Sequence, residues 1–304
     1  MILRLILLLV LFLYPPPVWA SGAQGADVEK QFSFANSLFN EGDFYRAITE
    51  YKRLVFFFLT DNLAEKSSFR IAESYYKAKK WAEAVDAFKS FSTKYNHSSL
   101  LTEALYFKGL AEKELKHYGE ALSTFQEIIK LRSVTHSDKA IYQSAIVLMN
   151  MEDWERARQM FLVVPKASSL AASSHIFSSG LEHLNDIPQK SPTAAGALAA
   201  ILPGAGHLYT ERYRDALVAF LLNGAFIWAA VELFQHENNV AGGIVAFFEL
   251  GWYTGNIYSA ISSAHKFNGR AKEEFIRHLK ESAGFSLSYD PNTSTSQLMF
   301  SFRY

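Results

Sequence analysis

Apolar and small residues recur with a long, fixed period in the first two thirds of the chain. In four places an aromatic residue is followed three residues later by alanine, and a second aromatic lies four residues after that alanine. The alanines are 37, 37 and 36 residues apart. A fixed period of about 20 to 50 residues indicates stacked repeats, so we predict a repeat array over residues 29–187. The four triplets are Phe44-Ala47-Tyr51, Trp81-Ala84-Phe88, Tyr118-Ala121-Phe125 and Trp154-Ala157-Phe161.

Each copy is predicted to form two antiparallel helices, which we call helix A and helix B. A break such as Glu41-Gly42-Asp43 or Lys116-His117 separates them, and Gly42 suits a left-handed turn. A small residue lies twelve positions before each triplet alanine, and a bulky side chain at either place would force the two helices apart. The pattern therefore predicts close packing of A on B in every copy. The four small residues on helix A are Ala35, Ala72, Gly109 and Ala145.

This arrangement resembles the tetratricopeptide repeat, which has a small residue at its eighth position, an aromatic at its seventeenth, alanine at its twentieth and an aromatic at its twenty-fourth. The period here is longer than the usual ~34 residues. The proline that commonly closes a repeat is present only as Pro165, in the fourth copy. The longer repeats resemble those of bacterial cell-envelope proteins. The resemblance implies an α-solenoid whose A helices line a concave, partner-binding face.

Carrying the groove positions of that repeat onto helix A of each copy gives an expected partner-binding surface. Aromatic side chains with a few polar groups suit the capture of a peptide or a partner helix. The alternative is that several of these aromatics pack in the core. The polar members are too dispersed to form the basic-and-asparagine clamp of some members of that family. The predicted groove residues are Phe32, Asn36, Phe39, Phe69, Arg70, Glu73, Tyr76, Tyr106, Phe107, Leu110, Lys113, Tyr142, Gln143, Ile146 and Met149.

The segments at the two ends of the array have separate predictions. Residues 1–20 have the charge, apolar run, prolines and small terminal residue of an export signal, with an uncleaved anchor as the alternative. Residues 21–28 are predicted to be a flexible leader. Residues 168–184 predict one more helix, which caps the array. Its His175 and His183 are interpreted as packed or solvated rather than metal-binding, because no further ligands accompany them.

Charge nearly vanishes after a polar linker at residues 188–192, and a membrane helical domain is predicted over 193–264. Its three apolar stretches are Ala194–Leu208, Ala216–Leu233 and Val240–Ala264. The first is short and contains Pro203 and Gly204, so we expect a broken or re-entrant segment there.

Residues 202–209, with the Arg212-Tyr213 and Asp215-Ala216 pairs that follow, resemble the turn of a bacterial two-transmembrane-helix domain. Glu211 replaces a glycine common in that turn, and the third apolar stretch is an addition. Gly251 and Gly255 are four residues apart, a spacing that permits close helix contact in lipid.

An exported array followed by three crossings would leave both clusters of cationic residues inside the cell. Arg212 and Arg214 follow the first stretch, five Lys and Arg follow the third between residues 266 and 280, and residues 234–239 contain none. The export signal and the positive-inside rule therefore agree on an inner-membrane protein with periplasmic repeats.

Five polar residues of this domain are candidates for a functional role, such as proton transfer, or for structural hydrogen bonds. A carboxylate inside an apolar segment is expensive unless it is protonated or paired, so Glu249 is either part of a proton relay or a structural hydrogen-bonding group, and we favour the second. Its expected partners are His207 and the two arginines, and Asn256 is expected to bond between helices. The candidates are His207, Arg212, Arg214, Glu249 and Asn256.

The tail predicts a basic amphipathic helix within residues 265–283 and a two-stranded β-hairpin over 284–304, where apolar residues alternate. An aromatic last residue is similar to the closing strand of outer-membrane barrels, which gives outer-membrane association as an alternative location. Three crossings that start from a periplasmic array place the tail in the cytoplasm, so a hairpin on the outer side of the inner membrane would contradict them.

Composition limits the functional classes. The chain has 304 residues, room for about two domains. Its 30 basic and 30 acidic residues balance, so no overall field favours nucleic acid. Cysteine is absent, which excludes disulfides and thiolate sites. There is no phosphate loop, dinucleotide fingerprint or zinc-protease motif, so we expect no catalytic residue, cofactor or metal.

Together these features predict an all-α protein of about four tetratricopeptide-like helix pairs with a small transmembrane helical domain and a short hairpin. We interpret it as a non-enzymatic, membrane-tethered scaffold that binds protein or peptide partners in the cell envelope. Two alternatives stay open: a membrane-embedded carrier or enzyme with the repeats as a docking arm, and a link between the inner and outer membranes.

Overall fold

A computed structural model describes residues 19–58 and 62–288, and within those ranges the regular elements are all helices. The chain divides into two compact units, residues 1–175 and 176–304. The division lies inside helix α9, earlier than the predicted linker. The α-helices are α1 (Trp19–Asn40), α2 (Phe44–Phe57), α3 (Asn62–Lys77), α4 (Trp81–Lys94), α5 (Leu101–Glu114), α6 (Tyr118–Lys130), α7 (Ser137–Asn150), α8 (Trp154–Leu162), α9 (Ala171–Glu182), α10 (Pro192–Ile201), α11 (Ala205–Tyr209), α12 (Tyr213–Gln235) and α13 (Asn239–Ser288).

The first unit contains the four predicted A/B pairs: α1 with α2, α3 with α4, α5 with α6, and α7 with α8. The first aromatic of each triplet begins its B helix. All four triplet alanines are 0% exposed, as are Ala35, Ala72 and Ala145 opposite them. At Gly109 an added Cβ would lie 2.7 Å from Cε1 of Phe125, so only glycine fits that contact. The repeat prediction is therefore confirmed at the level of side-chain packing.

Successive A helices also touch one another, α1 with α3, α3 with α5, and α5 with α7. They form one continuous layer, and we call the accessible surface of this layer the A face.

The A-to-B turns share one backbone conformation. The residue two positions before each B helix has positive φ: 83° at Gly42, 57° at Lys79, 62° at Lys116 and 59° at Glu152. In each turn the next backbone N–H bonds back to a carbonyl of helix A, for example His117 N to Glu112 O at 2.9 Å. Such a bond is typical of a left-handed helix end. Only the first copy has glycine at this position, where the sequence indicates the conformation. In the other three copies a lysine or glutamate adopts it.

The predicted flexible leader is wrong, because α1 begins at Trp19 and continues through residues 21–28. Val28 is 2% exposed and packs with Leu54 and Ala64, so burial of an apolar side chain favours helix at this point. Residues 1–18, which contain most of the predicted export signal, lie outside the described residues.

In the second unit α10, α11 and α12 all pack on the long helix α13. The predicted break at Pro203 and Gly204 is confirmed: α10 ends at Ile201, Leu202 is extended and Gly204 has a φ of 86°. The predicted linker is held in place. The backbone N–H of Lys190 donates to Asn268 Oδ1 at 2.8 Å, and the amide of Asn268 donates back to Lys190 O at 2.9 Å.

Helix α13 is one helix of 50 residues where three elements were expected. No proline interrupts residues 239–288, and the glycines within it weaken a helix without ending it. The predicted basic helix is therefore the continuation of the predicted third apolar segment. Residues 285–288 are helical, so the proposed start of the β-hairpin is wrong there; residues 289–304 lie outside the described residues.

Candidate functional site

The A face combines aromatic and polar side chains that are neither fully buried nor fully exposed. Each A helix from α1 to α5 contributes at least three of them, and α7 contributes its Gln143 and Ile146. Of the predicted groove residues, those of intermediate exposure are Phe32, Asn36, Phe39, Arg70, Glu73, Tyr76, Tyr106, Phe107, Leu110, Lys113, Gln143 and Ile146.

Three predicted groove residues belong to the core instead. Phe69, Tyr142 and Met149 are 6%, 7% and 3% exposed. Phe69 packs edge-on against Phe88, and Tyr142 packs edge-on against Phe161, so these rings join helix A to helix B. Burial raises the pKa of the Tyr142 hydroxyl to about 12. We therefore remove these three residues from the groove, because no partner side chain can reach them.

Polar groups of the A face join the first two copies. Arg70 forms an ion pair with Glu73 at 2.8 Å, and its guanidinium lies 4.9 Å from the ring centre of Phe39 in the first copy. About a third of the Arg70 side chain, 36%, stays exposed. Asn36 is occupied within its own copy, since its Oδ1 accepts a 2.6 Å bond from the Tyr51 hydroxyl. Arg70 is thus the polar group of this region that is both fixed in position and accessible.

The second and third copies are joined by rings. Tyr76 lies 5.1 Å from Phe107 between ring centres and 5.2 Å from Trp81. Burial raises the pKa of the Tyr76 hydroxyl. Aromatic pairs at such distances stabilise their contact by about 1 kcal/mol beyond area burial. These aromatics therefore have a packing role and a half-exposed edge at the same time.

The third and fourth copies meet at Gln143, whose Oε1 accepts a 3.2 Å bond from Lys113 Nζ. Tyr106 also hydrogen-bonds Gln143, while burial raises the pKa of its hydroxyl. His136 stacks obliquely on Tyr106 with ring centres 5.7 Å apart. Burial, with a smaller effect of nearby Lys139, lowers the pKa of His136.

A buried ionic cluster in the third copy was not predicted. Glu112 is 4% exposed; its two oxygens contact Lys108 Nζ at 2.8 Å and the Thr124 hydroxyl at 2.7 Å. Lys108 Nζ also donates to Thr124 Oγ1 at 2.8 Å. The signal was present in the sequence, since Glu112 and Thr124 have the same twelve-residue offset as the small residues that mark the A-to-B contact.

Comparison with known proteins covers one copy of the array directly. Residues 66–98 match the family model of the tetratricopeptide repeat. They include most of α3 and all of α4, the second A/B pair. No curated protein matches this chain.

The solved structures that match include the crystal structure of a tetratricopeptide repeat protein from Parabacteroides merdae ATCC 43184. It is 16% identical, with a TM-score of 0.44, over 83% of this chain and 98% of that one.

In the second unit, α12 is the one helix of the described chain whose length and composition would let it cross a bilayer. The predicted first segment is divided between α10 and α11, and α10 is apolar but short. In the most apolar stretch of α12 only 17% of the residues are buried. Phe220, Leu221 and Trp228 are among its side chains that are half exposed or more. A core helix of a globular protein would bury such residues.

Three of the five polar candidates, His207, Arg212 and Asn256, form one cluster, which excludes Glu249 and Arg214. Arg212 donates to Ser263 Oγ at 2.8 Å and pairs with Asp215. His207 is 3% exposed, with Nδ1 at 3.5 Å from the same Ser263 oxygen, and it also bonds Asn256. Arg214 is exposed.

Glu249 is 7% exposed, and neither of its carboxyl oxygens has a hydrogen-bond partner in the described chain. It lines a separate apolar cavity of about 300 Å³ with Tyr253 and side chains of α12. The expected pairing of Glu249 with His207 or the arginines is therefore wrong: His207 contacts Ser263 and Asn256, Arg212 contacts Ser263 and Asp215, and Arg214 is exposed.

In the part of the chain that the structure describes, no three His, Asp or Glu side chains converge. His183 instead pairs with Asp186 at 2.9 Å.

Proposed function

We propose that this chain is a non-enzymatic scaffold that binds a protein or peptide partner through its A face and is tethered to a bacterial envelope membrane by its second unit. The observation that supports partner binding is the row of partly exposed side chains, mostly aromatic or polar, along four consecutive A helices. A partner can cover the edges of these rings without disturbing the array, because the rings are already fixed by their neighbours.

A photo-crosslinking amino acid placed on the two faces of the array tests partner binding. At Phe107 or Ile146, on the A face, we expect one defined crosslinked species in cells. Arg70→Glu should reduce it at least several-fold, because that change reverses the accessible charge of the face. The matched control is Lys89→Glu on α4, an exposed residue of a B helix. Equal crosslinking from Tyr45, exposed on α2, or an equal effect of Lys89→Glu would contradict a specific A-face interaction.

The membrane tether is supported by the exposed apolar side chains of α12. We further propose a re-entrant path for α10 and α11. The start of this pair and the residues that follow it lie together: Ser191 N donates to the Tyr209 hydroxyl at 3.0 Å, and Lys190 Nζ pairs with Glu211 at 3.1 Å. The far end of α10 lies beside Tyr253, whose hydroxyl donates to Ala200 O at 3.1 Å. The chain would thus enter and leave on one side. Helix α12, the one described helix that is long and apolar enough to span a bilayer, would make the first crossing. The apolar part of α13, which does not meet the same test, would make the second.

Two crossings change the orientation argument, because they put the array on the same side as Arg212 and Lys266. The export signal then favours a periplasmic array, whereas the positive-inside rule favours the opposite side. We retain the periplasmic array of the bacterial inner membrane as the proposal. Extraction of membranes with alkaline carbonate tests the tether: the full chain should stay in the pellet, and release into the supernatant would argue against an integral tether.

A further inference from the structure

A groove lies between the first turns of α12 and the middle of α13. Its volume is about 900 Å³, and its walls are mostly apolar, with Val218, Phe247, Phe248 and Trp252 among them. Gly251 and Gly255 also line it, and an added Cβ at either would meet no atom within 4 Å. The close helix contact expected from their spacing is therefore not made within the described chain; the two glycines leave open space instead.

One end of this groove is cationic. Arg212 lines the groove and also a second cavity of about 450 Å³, which it shares with Lys266, Arg270 and Glu273. Lys266 and Arg270 are exposed. Asp215 compensates Arg212, and Glu273 is the one carboxylate among the described residues that line the second cavity, so positive charge is in excess at this end.

A buried donor without an acceptor borders the same groove. Asn256 is 7% exposed; its side chain bonds His207, but its Nδ2 has no hydrogen-bond acceptor in the described chain. Such a group costs about 1–3 kcal/mol unless another molecule supplies the acceptor. Asn256 lines the groove together with Arg212 and the apolar side chains, so an oxygen atom that joins an apolar chain to an anionic head would supply this acceptor.

We propose that this groove binds an anionic phospholipid, with an acyl chain against the α12 and α13 walls and the phosphate near Arg212, Lys266 and Arg270. The inference rests on the proposed membrane tether. An acyl chain fits the walls better than a peptide does, because each peptide residue needs a donor and an acceptor. The groove offers few: the Thr254 hydroxyl, for example, already donates to Leu250 O at 2.8 Å.

Lipid titration of the purified full chain in a zwitterionic detergent, followed by native mass spectrometry, tests this site. Phosphatidylglycerol should bind one to one and about 10-fold or more tighter than phosphatidylcholine of the same chain length. The pair Lys266→Gln and Arg270→Gln should remove that preference. The charge-matched control is Arg277→Gln with Lys280→Gln, two exposed residues further along α13 that do not line the second cavity.

A groove-filling variant tests the acyl-chain part independently. Gly255→Leu should abolish binding of both lipids, since its side chain would occupy the groove and its Cβ would meet no atom within 4 Å. Gly243→Leu is the matched control, because that glycine also has open space around it but lies outside the groove. Both substitutions improve helix propensity, so loss of fold is not the expected result.

Three results would overturn the lipid site. Equal affinity for the two phospholipids would show that the cationic end of the groove does not select an anionic head group. Competition by inorganic phosphate, with Gly255→Leu as competent as the parent, would indicate a free-anion site. A dimer that Gly255→Leu converts to a monomer, with no change in lipid binding, would assign the groove to a second copy of the chain. Release of the chain into the supernatant by alkaline carbonate would instead contradict the membrane tether. The lipid preference is measured in detergent, so the two proposals can fail separately.

Discussion

Single residues in the A-to-B turns carry backbone strain that substitution can expose. Lys116 holds a φ of 62° where left-handed backbone costs a non-glycine residue about 1 kcal/mol or more. Lys116→Gly should therefore stabilise the array by about 1 kcal/mol and raise its thermal midpoint. Gly42→Ala should destabilise the array by a similar free energy and lower the midpoint. Circular dichroism melting of the purified chain measures both changes.

The control for that pair is Gly119→Ala. Gly119 lies inside α6 with open space around its Cα, so alanine there should stabilise the helix by about 1 kcal/mol. Gly42 has equally open surroundings, but it lies in a turn and has a φ of 83°. If both alanine variants changed the midpoint in the same direction, left-handed strain would not explain the turn.

The buried cluster of Lys108, Glu112 and Thr124 makes a second prediction at this scale. Lys108→Met leaves the Glu112 carboxylate buried beside a single hydroxyl, which should destabilise the array by about 2–4 kcal/mol. Adding Glu112→Gln should recover part of that loss, because the unpaired charge is then gone. Urea unfolding of the two single variants and the double variant measures the coupling. Strict additivity would mean that the two groups do not stabilise one another.

At the scale of elements, the repeated side chains predicted the helix pairs of the array correctly. The boundaries predicted within residues 239–288 were wrong, because no residue there ends the helix. The triplets and their small partners gave all four A/B pairs, since one tight contact requires both small residues. The predicted division of residues 239–288 into three elements failed because alternating apolar residues near 285 do not end a helix that meets no proline. The A face was predicted by position, but the spacing did not show that Phe69 and Tyr142 pack on helix B of their own copies, or that Met149 is buried.

The break between α10 and α11 depends on Gly204, and substitution of this residue tests it. Its φ is 86°, and an added Cβ would collide with the carbonyl oxygen of Ala216. Gly204→Ala should therefore lower the stability of the second unit by about 2 kcal/mol or more. Gly224→Ala, in open space on α12, is the control and should be neutral or stabilising. Protease sensitivity of residues 176–288 in detergent reports the difference; equal digestion of both variants would show that the turn tolerates a side chain.

At the scale of the whole molecule, the number of crossings decides on which side of the membrane each part lies. With three crossings, the array and the turn at Asn238 share a side, because the first two crossings cancel. With a re-entrant α10 and α11, only α12 separates them, so reporters fused after Ser21 and at Asn238 should give opposite signals.

Reporters that read each compartment, placed after Ser21, at Asn238 and at Tyr304, distinguish the two arrangements in whole cells. The re-entrant path predicts a periplasmic signal after Ser21 and a cytoplasmic signal at Asn238. Two crossings, with no further crossing after Ser288, also return Tyr304 to the side of the array. Matching signals at Ser21 and Asn238 would restore three crossings. A cytoplasmic signal at Ser21 with a periplasmic one at Asn238 would keep the re-entrant path and reverse the orientation. The cationic end near Arg212 would then lie inside the cell, as the positive-inside rule requires.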